Sequence, residues 1–500
     1  MPSFSLRALA SRFQPPSGNV VTLRKALLIN FAQNYGIIAL QFTGSIILAR
    51  LLSPGEIGIF SVASALIALA QAVRDFGVGQ YIIQERELTQ DRLRAAFSVS
   101  LLVAVVLAAI TAGLSGVAAD FYREPGVRNV MLVLSLNFLL IPFGQITLGY
   151  LQREMNFAAV AQVKIGSTVV HFGVSLAFAY AGHSYMSLAY ASLANVLASA
   201  AIANLHRPAE VPWRMGFGEV RRVLNFGSLS VVSNLAGALA KGTADLVIGR
   251  MMSLVAVGLF SRAGGLIEIF NQGVMNALWA VALPHFSKTV REGGDVRGDY
   301  LRSAGFITGV AWPFFVVLAL LGEPVVLLLY GEGWKDCIPL VKWFCLAYWV
   351  IAPFYLFSSV LIAIGQIGKV MWVELASLPV QFGLYVAGAL TGDLEAVAAA
   401  SVAYQGFKAV FVYLLLSRHL GFRLAEFAGA LWRSLGVTVG TAGITFPVVM
   451  LSESIHAAVW LQILLGGGAA TLAWMLSIFV LRHSLRGEAL ALIGRGVAVR

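Results

Sequence analysis

Amide and ionisable side chains occur inside two long apolar runs of this 500-residue sequence, at spacings that repeat. Asn234, Lys241 and Asp245 are separated by seven and four residues, which places them on one face of an α-helix. The earlier run carries the same spacings in three polar residues, Asn34, Gln41 and Ser45. Polar faces on apolar helices favour a wet cavity, while an i,i+4 ion pair between Lys241 and Asp245 is the alternative.

Further ionisable residues inside apolar runs are candidates for lining the same cavity. They are Lys164, His171, Arg262, Glu268, Glu374 and Lys408. Positive charges match or outnumber negative ones, so we expect a cationic wall and an anionic cargo. Simpler roles remain open: Lys164 could extend to the interface, and Arg262 could pair with Glu268. His171 could be a core group or could titrate in a proton-coupled step.

The sequence carries none of the common motifs of nucleotide or metal chemistry. It has no P-loop, no Gly-rich dinucleotide fingerprint, and no HExxH or paired-cysteine motif. Its two cysteines, Cys337 and Cys345, lie about two helical turns apart in one apolar run, where packing is the expected role. We therefore expect no metal and no catalytic centre.

The elements that carry these residues are predicted to be membrane-spanning helices. Hydrophobic residues make up 59% of the chain and charged residues 12%, against about half and a quarter in soluble proteins. Apolar runs of about 20 residues recur, each able to cross roughly 30 Å of hydrocarbon, without the alternation of a β-barrel. The prediction is an all-α polytopic membrane protein with fourteen spans, at 23–49, 56–78, 95–118, 127–150, 157–181, 185–205, 220–249, 254–282, 302–322, 337–363, 370–390, 395–417, 428–451 and 457–481.

Lysine and arginine collect on one side of these spans. The other side carries only six, Arg50, Arg123, Arg128, Arg250, Lys335 and Lys342. The positive-inside rule then places both termini in the cytoplasm, which requires an even number of spans. The net charge of +11 follows this membrane pattern, so we expect no nucleic-acid partner. Residues 1–22 lack the apolar core of a signal peptide.

Two stretches, Asn34–Ser61 and Asn234–Ser261, are related at a constant offset of 200 residues. The identities that follow the polar faces are Arg50 with Arg250, Ser53 with Ser253, Gly58 with Gly258, and Phe60–Ser61 with Phe260–Ser261. A second echo pairs FYREP (121–125) with LYGEG (329–333). Such a repeat predicts two related lobes about an axis along the membrane normal, with the first and seventh helices walling a path between them.

The predicted boundaries follow from this duplication. They are a lead at 1–22, an N-lobe at 23–205, a linker with two prolines at 206–218, a C-lobe at 219–418, and a C-terminal helix pair with a cytoplasmic tail at 419–500. The C-terminal pair has no counterpart in the repeat and is predicted to be an appendage. The longest strongly polar stretch, Phe286–Tyr300, is a predicted loop too small for a catalytic domain.

The run Ile47–Gln84 resembles the polysaccharide-export branch of the multidrug/oligosaccharidyl-lipid/polysaccharide (MOP) flippase superfamily, WzxC/TuaB-type. In that branch the first span ends in a phrase like ARLLSPGEIGIF and the second in one like FGVGQYIIQ. The other matching phrases are Phe121–Val127, Ala238–Ala263, Leu283–Lys288 and Leu327–Trp343. The resemblance covers roughly residues 20–420.

The resemblance implies a V-shaped, two-lobed bundle in the bacterial inner membrane. Such a protein flips undecaprenyl-diphosphate-linked oligosaccharide from the cytoplasmic to the periplasmic leaflet by alternating access, for exopolysaccharide or lipopolysaccharide synthesis. No cofactor is implied, and coupling to protons or sodium is expected. Lys241, Arg250 and Arg262 would engage the diphosphate and acidic sugars. The expected partners are this substrate, membrane lipid, a polysaccharide polymerase and a chain-length regulator.

Two other functions remain open. A MATE-like drug/cation antiporter of the same superfamily would need an acidic, aromatic cavity, which the positive bias disfavours. A membrane glycan polymerase or ligase would need a sizeable external loop with Arg and His, and the predicted loops are short.

Overall fold

The computed structural model describes residues 23–74, 78–209, 211 and 213–487, with side chains of 23–32, 221–230, 232 and 233 left aside. The predicted lead at 1–22 lies outside the described residues. Throughout the described part every regular element is a helix, which confirms the all-α prediction. The helices that precede the linker are α1 (Leu23–Leu51), α2 (Pro54–Arg74), α3 (Val78–Gln84), α4 (Gln90–Tyr122), α5 (Pro125–Leu140), α6 (Pro142–Arg153), α7 (Phe157–Tyr180) and α8 (Met186–Leu205).

Helices α9 to α19 follow the linker. They are α9 (Val220–Met251), α10 (Leu254–Phe270), α11 (Asn276–Arg291), α12 (Val296–Leu320), α13 (Gly322–Leu329), α14 (Ile338–Ile351), α15 (Phe357–Ala363), α16 (Ile367–Leu390), α17 (Leu394–Leu420), α18 (Leu424–Ser454) and α19 (Val459–Val480). A π-helical turn, Asn271–Met275, joins α10 to α11. We call residues 23–205 the N-half and 219–418 the C-half.

The repeat-related serines start the second helix of each half. The Ser253 side chain accepts a hydrogen bond from the amide of Ala256, which caps α10. At the equivalent position the amide of Ser53 donates to Glu56 Oε2 at 2.6 Å, as in a capping box. Each serine thus satisfies backbone groups at a helix start, and the chain reverses direction there.

Eleven helical runs in the described part are long and apolar enough to cross a membrane, and a bent pair makes a twelfth. The bent pair is α5 and α6, which meet at 49° where Pro142 interrupts the hydrogen-bond ladder. Helices α1 and α9, which carry the polar faces, are the two other long helices. These units fall on the fourteen predicted runs, while the number of crossings stays a prediction.

The polar stretch Phe286–Tyr300 is mostly helical, contrary to the predicted loop. Helix α11 continues to Arg291, and α12 begins at Val296. Gly293, at φ +67°, ends the first helix, and the Asp295 side chain caps the second by accepting from the amide of Gly298. The apolar run ends before the helix does, so hydropathy alone misplaced this boundary.

The linker lies against the N-half. Val211 is 1% exposed, and the Gly216 amide donates to Ser98 Oγ at 2.9 Å. The ring of Trp213 meets Phe143 edge-on.

The C-terminal helix pair packs closely on the C-half. Helix α18 packs along α12, and Thr308 Oγ1 lies 2.9 Å from Ser434 Oγ with both residues fully buried. Trp474 of α19 donates to the carbonyl of Gly309 at 2.8 Å. The predicted appendage is therefore a tightly packed part of the bundle.

Candidate functional site

The two halves cross at a pair of glycines that the repeat makes equivalent. A Cβ on Gly58 would overlap the carbonyl oxygen of Leu254, and a Cβ on Gly258 would overlap that of Pro54. Pro54 and Leu254 are themselves 200 residues apart, so the contact is reciprocal. One helical turn further, Ser61 Oγ donates to Ser261 Oγ at 3.4 Å. We call this contact of α2 with α10 the crossing.

The arginines of the repeat fasten the same end of the bundle. The Arg50 guanidinium donates to the carbonyls of Leu328 and Leu329, the latter at 3.3 Å. In the other direction, the guanidinium of Arg250 lies 4.9 Å from the ring centre of Phe121. Phe121 and Leu329 are equivalent residues of the FYREP and LYGEG echo. Each half thus extends an arginine to the same point on the other half, and Arg250 makes a contact between the halves.

Aromatic residues next to these arginines add two more hydrogen bonds across the halves. Tyr122 Oη donates to the carbonyl of Leu246 at 3.4 Å. The buried Trp334 donates through Nε1 to the carbonyl of Ala49 at 2.7 Å. Backbone carbonyls near helix ends accept these bonds. At this end of the bundle each half therefore contributes both donors and acceptors to the contact.

A cavity of about 590 Å³ lies beside the contact between α2 and α9 and is bordered by Ser61 of the crossing. Asn234, Lys241 and Asp245 line it from α9, facing Ser64 and Gln71 of α2. We call it the α2–α9 cleft. The polar face predicted on the seventh span therefore lines a cavity between the halves.

A second cavity, of about 420 Å³, lies within the C-half and is rich in carboxylates. Lys241 and Asp245 border this cavity too, together with Glu268, Glu374 and Lys408. Lys408 Nζ pairs with both oxygens of Glu374 at 3.0 Å. We call this cavity the carboxylate cleft; Tyr348, Tyr385, Tyr404, Gln381 and Gln405 complete its polar lining.

The Glu268 carboxylate is held by the π-helical turn that follows it. It accepts from Asn271 Nδ2 at 3.2 Å and from Gln272 Nε2 at 3.4 Å. A π-turn shifts the following side chains around the helix, and such turns are frequent at functional sites. The turn places both amides on the Glu268 side of the helix.

A third cavity, of about 380 Å³, lies within the N-half but receives an arginine from the C-half. Gln41, Ser45, His171 and Asn195 line it, and Arg262 donates to Ser45 Oγ. The Arg262 guanidinium lies 6.0 Å from the ring centre of Trp334. Arg262 Nε and His171 Nδ1 are buried and have no protein partner within the described part. We call this cavity the arginine cleft.

The fourth cavity, of about 310 Å³, lies between α2, α6 and α8. Its polar lining consists of Arg74 from α2 and four neutral side chains, Gln145, Gln152, Asn195 and Ser199. We call it the amide cleft. Sequence reasoning missed these residues, although Gln145 and Gln152 are seven apart and Asn195 and Ser199 four apart, the spacings of one helical face.

The polar faces of the first and seventh helices do not line one shared cavity in this structure. Gln41 and Ser45 lie in the arginine cleft, whereas Lys241 and Asp245 lie in the other two clefts that α9 borders. Asn34 is exposed and borders none of the four cavities. The reason is the crossing, where α2 and α10 occupy the middle of the interface.

Several alternatives for single residues are resolved by the geometry. Among the described side chains no ion pair joins Lys241 to Asp245, and none joins Arg262 to Glu268. Lys164 is exposed and borders none of the four cavities.

The expected cations are distributed over several clefts: Arg262 lines the arginine cleft, Lys241 the α2–α9 cleft and Arg74 the amide cleft. The carboxylate cleft holds three acidic groups against two lysines, so its charge is not positive. The arginine cleft has Arg262 as its ionised group, with neutral amides and hydroxyls around it. Anion binding is therefore expected at single cations such as Arg262 and Lys241 and not over the whole cavity surface.

Comparison with known proteins places this arrangement in a family. The sequence is 22% identical to the lipopolysaccharide biosynthesis protein WzxC of Escherichia coli over 318 residues, 62% of this chain and 63% of that protein. It is 23% identical to the teichuronic acid biosynthesis protein TuaB of Bacillus subtilis over 415 residues, 81% of this chain and 85% of that protein.

Two solved structures share the fold. The lipid II flippase MurJ, in an inward closed conformation, superposes with a TM-score of 0.69 and 12% identity, covering 91% of this chain and 99% of MurJ. An inward-facing multidrug transporter of the MATE family, in the MOP superfamily, gives a TM-score of 0.56 and 15% identity over 78% of this chain and 94% of that one. Residues 47–339, more than half of the chain, match the polysaccharide biosynthesis protein family, and the chain is a member of that family.

Proposed function

We propose that the chain flips undecaprenyl-diphosphate-linked oligosaccharide repeat units across the membrane by alternating access of its two halves. The observation that carries this is Arg262, which crosses from one half into a polar cleft of the other and leaves Nε without a protein partner. The relatives act in lipopolysaccharide and teichuronic acid synthesis, and MurJ, which shares the fold, is named a lipid II flippase. The chain is a multi-pass membrane transporter and not an enzyme.

We propose that the membrane is the bacterial inner membrane and that both termini are cytoplasmic, as the distribution of Lys and Arg predicts. The crossing, Arg50 and Arg250 then lie at the periplasmic end. The halves touch there through backbone, so this conformation is closed to the periplasm. Opening requires α2 and α10 to separate and the two arginine contacts to break.

Arg262 is the proposed diphosphate ligand. A guanidinium presents several N–H donors in one plane and binds phosphate oxygens with two parallel bonds. Its hydrogen bond to Ser45 holds the group at the cleft, while its Nε is buried without a protein partner. Binding at this point would draw the halves together through the substrate. Lys241, exposed on the α2–α9 cleft, is the second cation that the anionic headgroup meets.

The carboxylate cleft is the proposed site of coupling to protons or sodium. Asp245 borders both this cleft and the α2–α9 cleft, so it joins the substrate path to the interior of the C-half. A carboxylate that is neutralised when the halves rearrange would link ion entry to substrate movement without ATP.

The test is transfer of lipid-linked oligosaccharide in proteoliposomes and its fate in cells. Cells without the gene should accumulate the lipid-linked unit on the inner leaflet, and proteoliposomes should move it across without chain growth. Arg262→Ala and Lys241→Ala should each impair export at unchanged protein level. Normal surface polysaccharide in the deletion strain would contradict the proposed function, and normal export by both variants would contradict the assigned cations.

A drug/cation antiporter is the second candidate, because the carboxylate cleft is acidic and lined by tyrosines. These groups would suit an aromatic cation. Efflux of ethidium that depends on Asp245 and Glu268, with no effect of deletion on surface glycan, would favour that function. A polysaccharide polymerase and a chain-length regulator are the proposed partners of the flippase, and co-purification from cross-linked membranes tests them.

A further inference from the structure

The amide cleft of the N-half leaves hydrogen-bonding groups unused inside a membrane bundle. Gln145 and Gln152 enter it from α6, and Asn195 and Ser199 enter it from α8. None of these four side chains bonds to another protein group in the part of the chain that the structure describes. All four residues are half-buried, so their unpaired groups face the open cleft.

Other amides of the same half use their nitrogens to join neighbouring helices. Asn137 Nδ2 donates to Ser192 Oγ at 3.0 Å. Asn204 Nδ2 donates to the carbonyls of Phe143 and Ala200, at 3.1 and 2.7 Å. These two residues stitch α5 and α6 to α8. Asn137 and Asn204 therefore join helices, whereas the amides of the cleft face an open cavity.

We propose that the amide cleft binds neutral sugar residues of the lipid-linked substrate, and this rests on the proposed flippase function. Each carboxamide offers both donors and an acceptor, which match a sugar hydroxyl that also donates and accepts. The cleft volume of about 310 Å³ is at the lower end of small-molecule sites, which span ~300–1,000 Å³. Sites built to hydrogen-bond a hydroxyl discriminate strongly against ligands that lack it.

Asn195 lies between the proposed sugar site and the proposed diphosphate site. It lines the amide cleft and also the arginine cleft, so the two cavities adjoin at this residue. A substrate with its diphosphate at Arg262 extends its sugars past Asn195 toward Gln145 and Gln152. The N-half therefore selects the glycan, while the arginine recognises the group that every such lipid shares.

Two probes separate sugar recognition from diphosphate recognition. One is the lipid-linked saccharide extracted from cells that lack the gene, and the other is undecaprenyl diphosphate without sugar. Apparent Kd values are measured on the purified full chain by native mass spectrometry. Gln145→Leu and Gln152→Leu should each weaken binding of the glycosylated lipid ~2- to 10-fold, the loss of one neutral hydrogen bond, and the double variant ~4- to 100-fold.

Both variants should bind undecaprenyl diphosphate as the wild-type chain does, which also shows that they fold. Gln162→Leu, an exposed glutamine outside the four cavities, is the matched control and should bind both probes normally. The sugar site would be contradicted if the variants lost affinity equally for both probes or for neither probe. It would also be contradicted if the wild-type chain bound both lipids equally well. If the wild-type chain binds neither lipid, the proposed function itself fails.

Discussion

The two halves are alike where they touch and unlike where they face their cavities. At the crossing, Gly58 meets Leu254 as Gly258 meets Pro54, and Arg50 and Arg250 reach equivalent points on the opposite half. In the cavities, Gln41 and Ser45 of the N-half correspond to Lys241 and Asp245 of the C-half. A reciprocal contact constrains both copies together, because a change in either one collides with the same partner backbone.

The cavity walls have no such reciprocity, so each half carries its own chemistry. The arginine cleft combines neutral side chains of the N-half with one cation from the C-half. The carboxylate cleft is built within the C-half from ionisable groups. The position equivalent to Arg262 in the N-half is Val62, which is fully buried in the core. Under the proposed function, this difference assigns substrate recognition to the arginine cleft and ion coupling to the carboxylate cleft.

The largest expected effect comes from the shared contact. Gly58→Ala and Gly258→Ala each place a methyl group on a partner carbonyl, which the backbone cannot avoid without separating α2 from α10. Transport in proteoliposomes should fall at least tenfold in both variants, with similar losses because the contact is reciprocal. Gly55→Ala is the matched control, since its Cβ would meet Val255 at an ordinary 3.5 Å. Wild-type transport by either crossing variant would contradict the reciprocal constraint.

The next effect is at Arg262, where the halves differ most. Arg262→Lys keeps the charge but removes the planar set of donors, so it should lower the transport rate about tenfold, near the ~1.5 kcal/mol of a charge-assisted hydrogen bond. Arg128→Gln, at an exposed arginine on another helix, should leave transport unchanged. Full transport activity of Arg262→Lys would mean that a positive charge alone is enough to bind the diphosphate. The planar set of guanidinium donors would then have no specific role.

A smaller effect is expected at the ion pair of the carboxylate cleft. Lys408→Met leaves Glu374 unpaired and should lower the free energy of unfolding by ~1–2 kcal/mol, less than for a fully buried pair because Glu374 is 39% exposed. The double variant with Glu374→Gln should recover much of this loss in thermal unfolding of the purified chain. If the double variant is less stable than either single variant, the two residues do not act as a pair.

Much of the fold follows from the sequence because a membrane imposes simple rules. Apolar length located the helices, and the offset of 200 residues identified Gly58 and Gly258 as equivalent. Hydropathy failed at Phe286–Tyr300, where a helix continues past its apolar part until Gly293 ends it. The local sequence pattern also does not predict that the linker packs on the N-half or that α18 packs on α12.

The cavity residues were harder to predict for a physical reason. Helical spacing shows which residues share a face, but not which helix that face meets. The faces of α1 and α9 were therefore assigned to one cavity, although α2 and α10 lie between them. Arg262 and Glu268 were read as neighbours in one span, whereas they line different clefts. Gln145 and Gln152 lie on a short helix after Pro142, and their spacing does not show that this helix faces Asn195 and Ser199 of α8.

The C-terminal helix pair is present on one half only, and a histidine joins it to that half. The amide of Leu485 donates to His483 Nδ1 at 3.2 Å, so Nε2 carries the proton and donates to Ser434 Oγ at 3.0 Å. Ser434 Oγ in turn donates to the carbonyl of Gly305 at 3.0 Å. A second proton on the ring would oppose the Leu485 amide.

The smallest expected effect is a pH dependence of stability that comes from this junction. Burial, and then the positive charge of Arg433, lower the pKa of His483 below its usual value of about 6.5. Below about pH 6.5 the unfolded chain therefore binds a proton that the folded chain excludes, so stability falls as the pH decreases. His483→Gln keeps an N–H donor for Ser434 but does not titrate. When the pH is lowered from 7.5 to 5.5, the decrease in Tm of this variant should therefore be a few degrees smaller than the decrease in Tm of the wild-type chain. Parallel losses of Tm in both proteins would mean that His483 does not couple proton binding to the packing of the one-sided helix pair.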